Sequence, residues 1–107
     1  MRRGEVWWAR LPTPAGRRPV LLLSRDRAYA VRTAVTVAVI TRKVRGIPTE
    51  VALGPDDGLP AACVVNLDDI LTIPKSLLEE RVTLLSEEKM RLVVRAVEFA
   101  LDLREDG

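Results

Sequence analysis

The sequence predicts a mainly β domain of the α+β class, in which five or six short strands form a small SH3-like barrel and one helix closes the chain. Short runs of β-branched residues alternate with loops rich in proline and glycine, which is typical of antiparallel strands. Near the C-terminus, apolar residues recur at spacings of three and four, as in an amphipathic helix. With 107 residues and 48% apolar composition, we expect a single domain over residues 1–107.

Three strands are predicted in the first half of the chain: Glu5–Arg10, Pro19–Ser24 and Ala34–Thr41. The first ends in the proline-containing loop 11–16, because proline cannot continue a hydrogen-bonded ladder. The polar segment 25–33 separates the other two as a turn or a single helical turn. Alternation puts Trp7 and Trp8 on opposite faces, so one belongs to the core while the other packs in an interface or stacks on a base.

The second half predicts two more strands, an extended segment and a short edge strand: Thr49–Leu53, Ala62–Asn66, Ile70–Ile73 and Glu80–Leu84. The turn-rich loop GPDDGLP separates the first two, and Pro74 interrupts the pattern later. Ser86 has the character of an N-cap, with Glu87 and Glu88 placed favourably in the first turn. A helix is therefore expected from Ser86 to about Leu103.

The predicted helix carries two apolar stripes. The first consists of Met90, Val93, Val94, Val97, Ala100 and Leu101, and the second of Leu92, Ala96, Phe99 and Leu103. The polar arc that remains is narrow, which indicates an interface with a second subunit or another protein. The alternative is one wide core stripe with a frayed end.

The chain has one cysteine and no histidine. This composition excludes zinc sites of the usual type, Cys–His nucleophile pairs and histidine acid–base catalysis. We expect neither a metal nor an organic cofactor. No apolar run approaches the roughly 18 residues of a membrane span, and no signal peptide follows the first arginines, so a cytoplasmic protein is predicted.

Charge is divided unevenly along the chain. Residues 1–50 contain 11 basic and 3 acidic side chains, whereas residues 51–107 contain 6 basic and 12 acidic ones. This asymmetry favours a nucleic-acid surface built from the first half, with the acidic half elsewhere. The alternative is that the charges interleave in the fold and cancel.

Cationic residues flank two neighbouring predicted strands. Arg17 and Arg18 precede the second strand, and the third is followed by Arg42, Lys43 and Arg45. A cationic rim on a small sheet suggests a partner that carries phosphate. By charge and loop position, Arg25, Arg42, Lys43 and Arg45 are candidates to contact it.

Five separated segments resemble the MazF/PemK family of toxin endoribonucleases in order and over nearly the whole chain: RRGEVWW, GRRPVLLLSRD, VTVAVIT, VVNLDDILTIPKSLL and EEKMRLVVRAVEFALDL. The resemblance implies a barrel of the MazF/CcdB type and a homodimer. It also implies a metal-independent ribonuclease that cuts single-stranded RNA at a short sequence and is held inactive by a cognate antitoxin.

The resemblance also assigns residues. The arginine before Pro-Val and the threonine that ends the third strand are the family's catalytic pair, and they match Arg18 and Thr41. Asp68 is the candidate base or nucleotide-contact residue, because it matches an aspartate that contributes to the site in the PemK branch, with Asp69 as its rival. Arg17 and Asn66 are further candidates for RNA contact, Asn66 standing where the PemK branch has arginine.

The chemistry needs no histidine or metal if the RNA supplies its own 2′-hydroxyl as the nucleophile, which leaves a 2′,3′-cyclic phosphate and a 5′-hydroxyl; DNA would be inert. Arg18 can stabilise the charge that grows on the phosphate, but it is a poor proton acceptor, so the base is unassigned. Two alternatives remain. One is a family member that binds RNA or antitoxin without cutting, and the other is a gyrase poison of the CcdB type, although the chain ends in LREDG and not in Trp-Gly-Ile.

Overall fold

The computed structural model describes residues 1–103, so most of the LREDG tail lies outside the described residues. The strands are β1 (Glu5–Arg10), β2 (Arg17–Leu22), β3 (Ala34–Thr41), β4 (Glu50–Leu53), β5 (Cys63–Pro74) and β6 (Leu78–Leu84). The helices are α1 (Ala28–Val31) and α2 (Glu87–Leu101), with single 3-10 turns at Pro55–Asp57 and Lys75–Leu77.

The six strands form one antiparallel sheet in the order β4-β5-β3-β2-β1-β6. The sheet curls, and α2 packs across the β4 and β5 end. The predicted mainly β fold with a terminal helix is confirmed. Within the first half, the polar segment contains the single helical turn α1.

Strand β5 differs from its prediction as two separate segments. It is one strand of 12 residues, interrupted by a bulge. Ala38 of β3 pairs with Ile70 while the next residue, Val39, pairs with Asn66. Residues 67–69 therefore have no partners on β3 and form the bulge. In the sequence, this bulge interrupts the pattern of a strand and so resembles a break between two strands.

Within the bulge, Leu67 points inward and is fully buried, and its N–H donates to the Thr49 carbonyl at 2.8 Å. The next two residues, Asp68 and Asp69, are exposed. Leu67 therefore anchors the bulge in the core, and its acidic neighbours are presented at the surface.

Buried side chains divide between the two faces of the sheet, as strand alternation requires. The face under α2 is built around Val6, Leu21, Ala38, Val65, Leu67 and Val93. The opposite face is built around Val20, Leu22, Tyr29, Val35, Val37 and Ile73. The paired positions of β2 and β3 are thus fixed from both sides, which holds their ends in register.

Helix α2 begins as predicted, with the Ser86 side chain accepting from the Lys89 N–H at 3.1 Å, and ends at Leu101, two residues earlier than expected. Only Val93 and Ala96 are buried. The exposed apolar side chains of this region are Leu92, Val94, Phe99, Leu101 and Leu103. The interpretation as one wide core stripe does not hold for them. Leu92 and Phe99 lie along one flank of α2 and Val94 and Leu101 along the opposite flank, and the single chain covers neither flank.

None of the helices formed by residues 1–103 is long and apolar enough to cross a membrane.

Tyr29 provides a test of the hydrophobic core on the face of the sheet opposite α2. It is the single tyrosine of the chain, and burial raises its pKa to about 12. Because an unfolded tyrosine titrates near pH 10, the folded state loses stability as the pH rises from about 10 to 12, by roughly 2 to 3 kcal/mol in total. We expect a spectrophotometric titration of tyrosinate to give a midpoint near 12 in the native protein and near 10 in urea. Tyr29→Phe should abolish the signal, and a native midpoint of 10 would contradict this placement.

Candidate nucleic-acid interface

Arg18 and Thr41 meet because of the pairing between β2 and β3. Val20 pairs with Val39, and the same register carried two positions further sets Arg18 opposite Thr41. Arg18 is held by its Nε, which donates to the Ala15 carbonyl at 3.1 Å. The Thr41 hydroxyl accepts from the Lys43 N–H at 3.2 Å. A guanidinium fork and a hydroxyl are therefore fixed at the same rim of the sheet.

Two cavities open on either side of this pair, and Arg18, Thr41 and Ala15 line both. The tryptophan cavity, about 250 Å³, is also lined by Trp8, Arg17, Pro19, Ile40, Arg42, Leu59, Pro60, Ala61, Cys63 and Val82. The carboxylate cavity, about 610 Å³, is also lined by Leu11, Pro12, Pro14, Val39, Lys43, Arg45, Glu50, Asn66, Asp69 and Leu71. Arg18 and Thr41 thus stand on the ridge between two cavities.

The cavities gather most of the predicted contact residues. Arg17 and Arg42 line the tryptophan cavity. Lys43, Arg45 and Asn66 line the carboxylate cavity. Five cationic or polar side chains that the sequence separates by up to 49 positions therefore surround the ridge.

Two predicted residues are not brought to the ridge. Asp68 lines neither cavity, because its carboxylate accepts from the Thr49 hydroxyl at 2.6 Å. Its neighbour Asp69 lines the carboxylate cavity instead. Arg25 is exposed and lies beyond the opposite end of β2 from Arg18, so it lines neither cavity.

Glu50 is a residue of the site that sequence reasoning missed. Its carboxylate accepts from the backbone N–H groups of Arg45 at 3.0 Å and Gly46 at 2.9 Å. These bonds fold the cationic loop after β3 back towards the carboxylate cavity. No sequence pattern marks this role, since a glutamate at the start of a strand is an ordinary surface residue.

Trp8 and Arg17 form a stack beside the ridge. The guanidinium carbon of Arg17 lies 4.4 Å from the centroid of the Trp8 ring, a cation–π contact. Glu79 accepts from Arg17 Nε at 2.9 Å and from Arg10 Nε at 3.0 Å. The Arg17 hydrogen bond, with that of Arg10, holds the pKa of the Glu79 carboxyl below its usual range.

These ion pairs correct the expectation that the acidic half of the chain lies elsewhere. Glu79 of the second half neutralises two arginines of the first half, and Arg81 of the second half pairs with Glu5 of the first at 2.8 Å. Charges therefore interleave along β1, β2 and β6. At the site, Arg18, Arg42, Lys43 and Arg45 form no ion pair with a carboxylate of residues 1–103, so the ridge and its loops stay cationic.

Cys63 does not supply a nucleophile to the tryptophan cavity. Burial raises the pKa of its thiol, so the neutral form predominates near neutral pH. Within residues 1–103, no group of three or more His, Cys, Asp or Glu side chains is placed to hold a metal ion. The polar chemistry available at the ridge is that of guanidinium, hydroxyl and carboxylate groups.

The fold and site together define a small β-sheet protein with a cationic ridge between two clefts, which is the type of surface that suits a phosphate-bearing partner. The family model for PemK-like, MazF-like toxins of type II toxin–antitoxin systems matches residues 2–101. The chain belongs to this family.

Relatives cover almost the whole chain. It is 40% identical over 101 residues to the probable endoribonuclease MazF5 of Mycobacterium tuberculosis, which covers 94% of this chain and 92% of that protein. It is 34% identical to the endoribonuclease MazF of Staphylococcus saprophyticus, over 96% of this chain and 92% of that protein.

Solved structures show the same architecture. The toxin MazF-mt6 of Mycobacterium tuberculosis superposes with a TM-score of 0.87 at 35% identity, over 94% of this chain and 99% of that one. A mycobacterial endoribonuclease in complex with its cognate antitoxin gives a TM-score of 0.87 at 30% identity, over 98% of both chains. The family resemblance seen in the sequence is confirmed.

Proposed function

We propose that this chain is the toxin of a type II toxin–antitoxin pair and an endoribonuclease that cuts single-stranded RNA at the ridge between its two cavities, without a metal. The observation that carries the proposal is the shared position of Arg18 and Thr41, which line both cavities. An RNA strand that crosses the ridge places one phosphate between them and a nucleotide on each side. The family and its relatives named endoribonucleases support the same activity.

The cleavage follows from the groups at the ridge. The 2′-oxygen of one ribose attacks the adjacent phosphorus, the new O2′–P bond forms, and the P–O5′ bond breaks. The products are a 2′,3′-cyclic phosphate and a 5′-hydroxyl. Arg18 presents two or more N–H donors to the phosphate oxygens, whose charge grows in the transition state, and Thr41 donates a further hydrogen bond or positions the phosphate.

A carboxylate of the β5 bulge is the proposed base that removes the 2′-hydroxyl proton. Asp69 is the better candidate than Asp68, because Asp69 lines the cavity that contains Arg18 and Thr41, whereas Asp68 is bonded to Thr49. Arg18 is an unsuitable base, since a guanidinium group offers donors only and has no acceptor for a proton. It is suited to proton donation towards the leaving 5′-oxygen.

The two aspartates form a matched pair for mutagenesis. We expect Asp69→Asn to lower the rate of RNA cleavage by about 100-fold, within the usual range for loss of a general base. Asp68→Asn keeps an acceptor for the Thr49 hydroxyl and should change the rate by less than about 3-fold, since the side chain does not line the cavity. The measurement is single-turnover cleavage of one RNA by both variants. A larger loss in Asp68→Asn would assign the base to Asp68.

Two partners complete the proposal. The exposed flank of α2 that carries Leu92 and Phe99 supports a homodimer, because monomeric proteins rarely leave contiguous large apolar side chains uncovered. The antitoxin is an extended acidic or apolar segment that lies across the same cationic groove and competes with RNA. The relative solved with its cognate antitoxin supports such a partner. Both interactions belong to a protein of the cytoplasm.

The direct test is to incubate the purified protein with a long single-stranded RNA in EDTA and to map the cuts and their end groups. Discrete cuts that end in 2′,3′-cyclic phosphate are expected, and the matching DNA should remain intact. Absence of cuts, or cuts that require an added divalent metal, would overturn the proposal. RNA affinity should also fall steeply between low and physiological salt, as release of counterions requires.

A further inference from the structure

A second cationic surface lies away from the ridge. It consists of the exposed arginines Arg2, Arg3, Arg25, Arg27 and Arg32, which we call the arginine patch. These residues come from two segments that the fold brings together. The Arg3 N–H donates to the Asp26 carboxylate, and the Gly4 N–H donates to the Leu22 carbonyl at 2.9 Å. The N-terminus is therefore tied to the loop that follows β2.

The turn α1 fixes the other arginines of the patch. The Ala28 N–H donates to the Arg25 carbonyl, and the Arg32 N–H donates to the Ala28 carbonyl, each at 2.9 Å. The five side chains are thus carried by an ordered backbone.

The patch is not neutralised by the acidic half of the chain. Among residues 1–103, no carboxylate lies within 4.0 Å of a guanidinium nitrogen of these five arginines. Arg10, Arg17 and Arg81, in contrast, are all paired with glutamates. Nearby acids are few: Asp26 is occupied by a backbone N–H, and Glu87 shares a shallow cleft with Arg3.

The patch is also separate from the cleavage site. None of its residues lines the tryptophan or the carboxylate cavity. Arg18 lies at the start of β2 and Arg25 follows its end, so about seven residues of extended chain, roughly 20 Å, separate the two surfaces. A short oligonucleotide that fills the ridge would leave the patch empty, whereas a long RNA could reach both.

We propose that the arginine patch binds the phosphate backbone of the RNA substrate outside the cleaved sequence. Unpaired guanidinium groups on an ordered loop suit this role, since Arg binds phosphate with a fork of donors and sequence-independent contacts add affinity without reading bases. The inference rests on the endoribonuclease function proposed above. It predicts that the enzyme prefers long RNAs over short ones that contain the same cut site.

The test compares two RNAs with one mapped cut site, about 7 and about 30 nucleotides long. The first lies at the low end of the roughly 4 to 16 nucleotides that a single-strand binding surface spans, and the second lies well above it. The variant carries Arg2→Ala, Arg27→Ala and Arg32→Ala, all exposed residues outside both cavities. Its matched control carries lysine at the same three positions, which keeps the charge.

We expect the alanine variant to lower kcat/KM on the long RNA by roughly 10-fold and to reduce the slope of log affinity against log salt by about 2, as three lost phosphate contacts require. Cleavage of the short RNA should be unchanged, and the lysine control should act within about 3-fold of the native protein on both RNAs. An equal response of both RNAs, or weakened antitoxin binding with no change in RNA cleavage, would overturn the inference. If the native protein cleaves neither the short RNA nor the long RNA, the proposed function is overturned instead.

Discussion

Replacement of Arg18 by alanine is expected to lower the rate of RNA cleavage by about 100- to 1,000-fold, the loss found when a preorganised donor to a developing oxyanion is removed. Arg18 is the charged side chain that lines both cavities, and its Nε is held by the Ala15 carbonyl. The guanidinium therefore faces the phosphate without first having to be ordered. The measurement is single-turnover cleavage of a mapped RNA in EDTA.

The matched control is Arg10→Ala. Arg10 lies on the neighbouring strand, its side chain is 69% exposed, and it pairs with Glu79 outside both cavities. Its loss should change the rate by less than about 3-fold, as for surface substitutions in general. Equal rates in the two variants would place the chemistry elsewhere on the molecule.

Arg18→Lys separates charge from geometry. Lysine keeps the positive charge but loses the planar fork, so an intermediate rate is expected. A lysine variant as slow as the alanine variant would show that the fork, and not the charge, stabilises the transition state. Unchanged melting temperatures in all three variants would exclude unfolding as the cause.

The sequence predicts Arg18 and Thr41 of the ridge better than it predicts which aspartate lies beside them. Arg18 lies at the start of one strand and Thr41 at the end of the next, and both strands have clear apolar patterns. Antiparallel pairing brings the start of the first strand next to the end of the second. The choice between Asp68 and Asp69 depends instead on a bulge of three residues. The alternation of apolar and polar residues does not reveal a bulge, because a bulge interrupts this alternation in the same way as the end of a strand does.

The sequence also does not predict the long-range ion pairs. The cationic first half suggests one nucleic-acid surface, yet Glu79 of the second half pairs with Arg10 and Arg17 and removes both from the free positive charge. Arg25, a candidate by charge alone, belongs to the patch. Only the strand order β2-β1-β6 shows which arginines are neutralised.

Replacement of Leu67 by alanine is expected to lower the stability of the fold strongly. Leu67 is fully buried and lies among the core residues beneath α2. Truncation of such a leucine costs about 3 to 4 kcal/mol, through lost burial and the cavity left behind. That is a large part of the 5–15 kcal/mol that stabilises a typical domain. The measurement is urea unfolding at a fixed protein concentration.

Val31→Ala is the control, because Val31 belongs to α1 and is 75% exposed, and its truncation removes apolar atoms from the surface only. Its urea midpoint should stay close to that of the native protein, and a midpoint for Leu67→Ala equal to that of the control would contradict the buried bulge. The two variants also separate stability from activity. Since Leu67 anchors the bulge that carries Asp69, cleavage by Leu67→Ala should fall further than its unfolded fraction accounts for. The same leucine therefore links the core of the sheet to the chemistry at its rim.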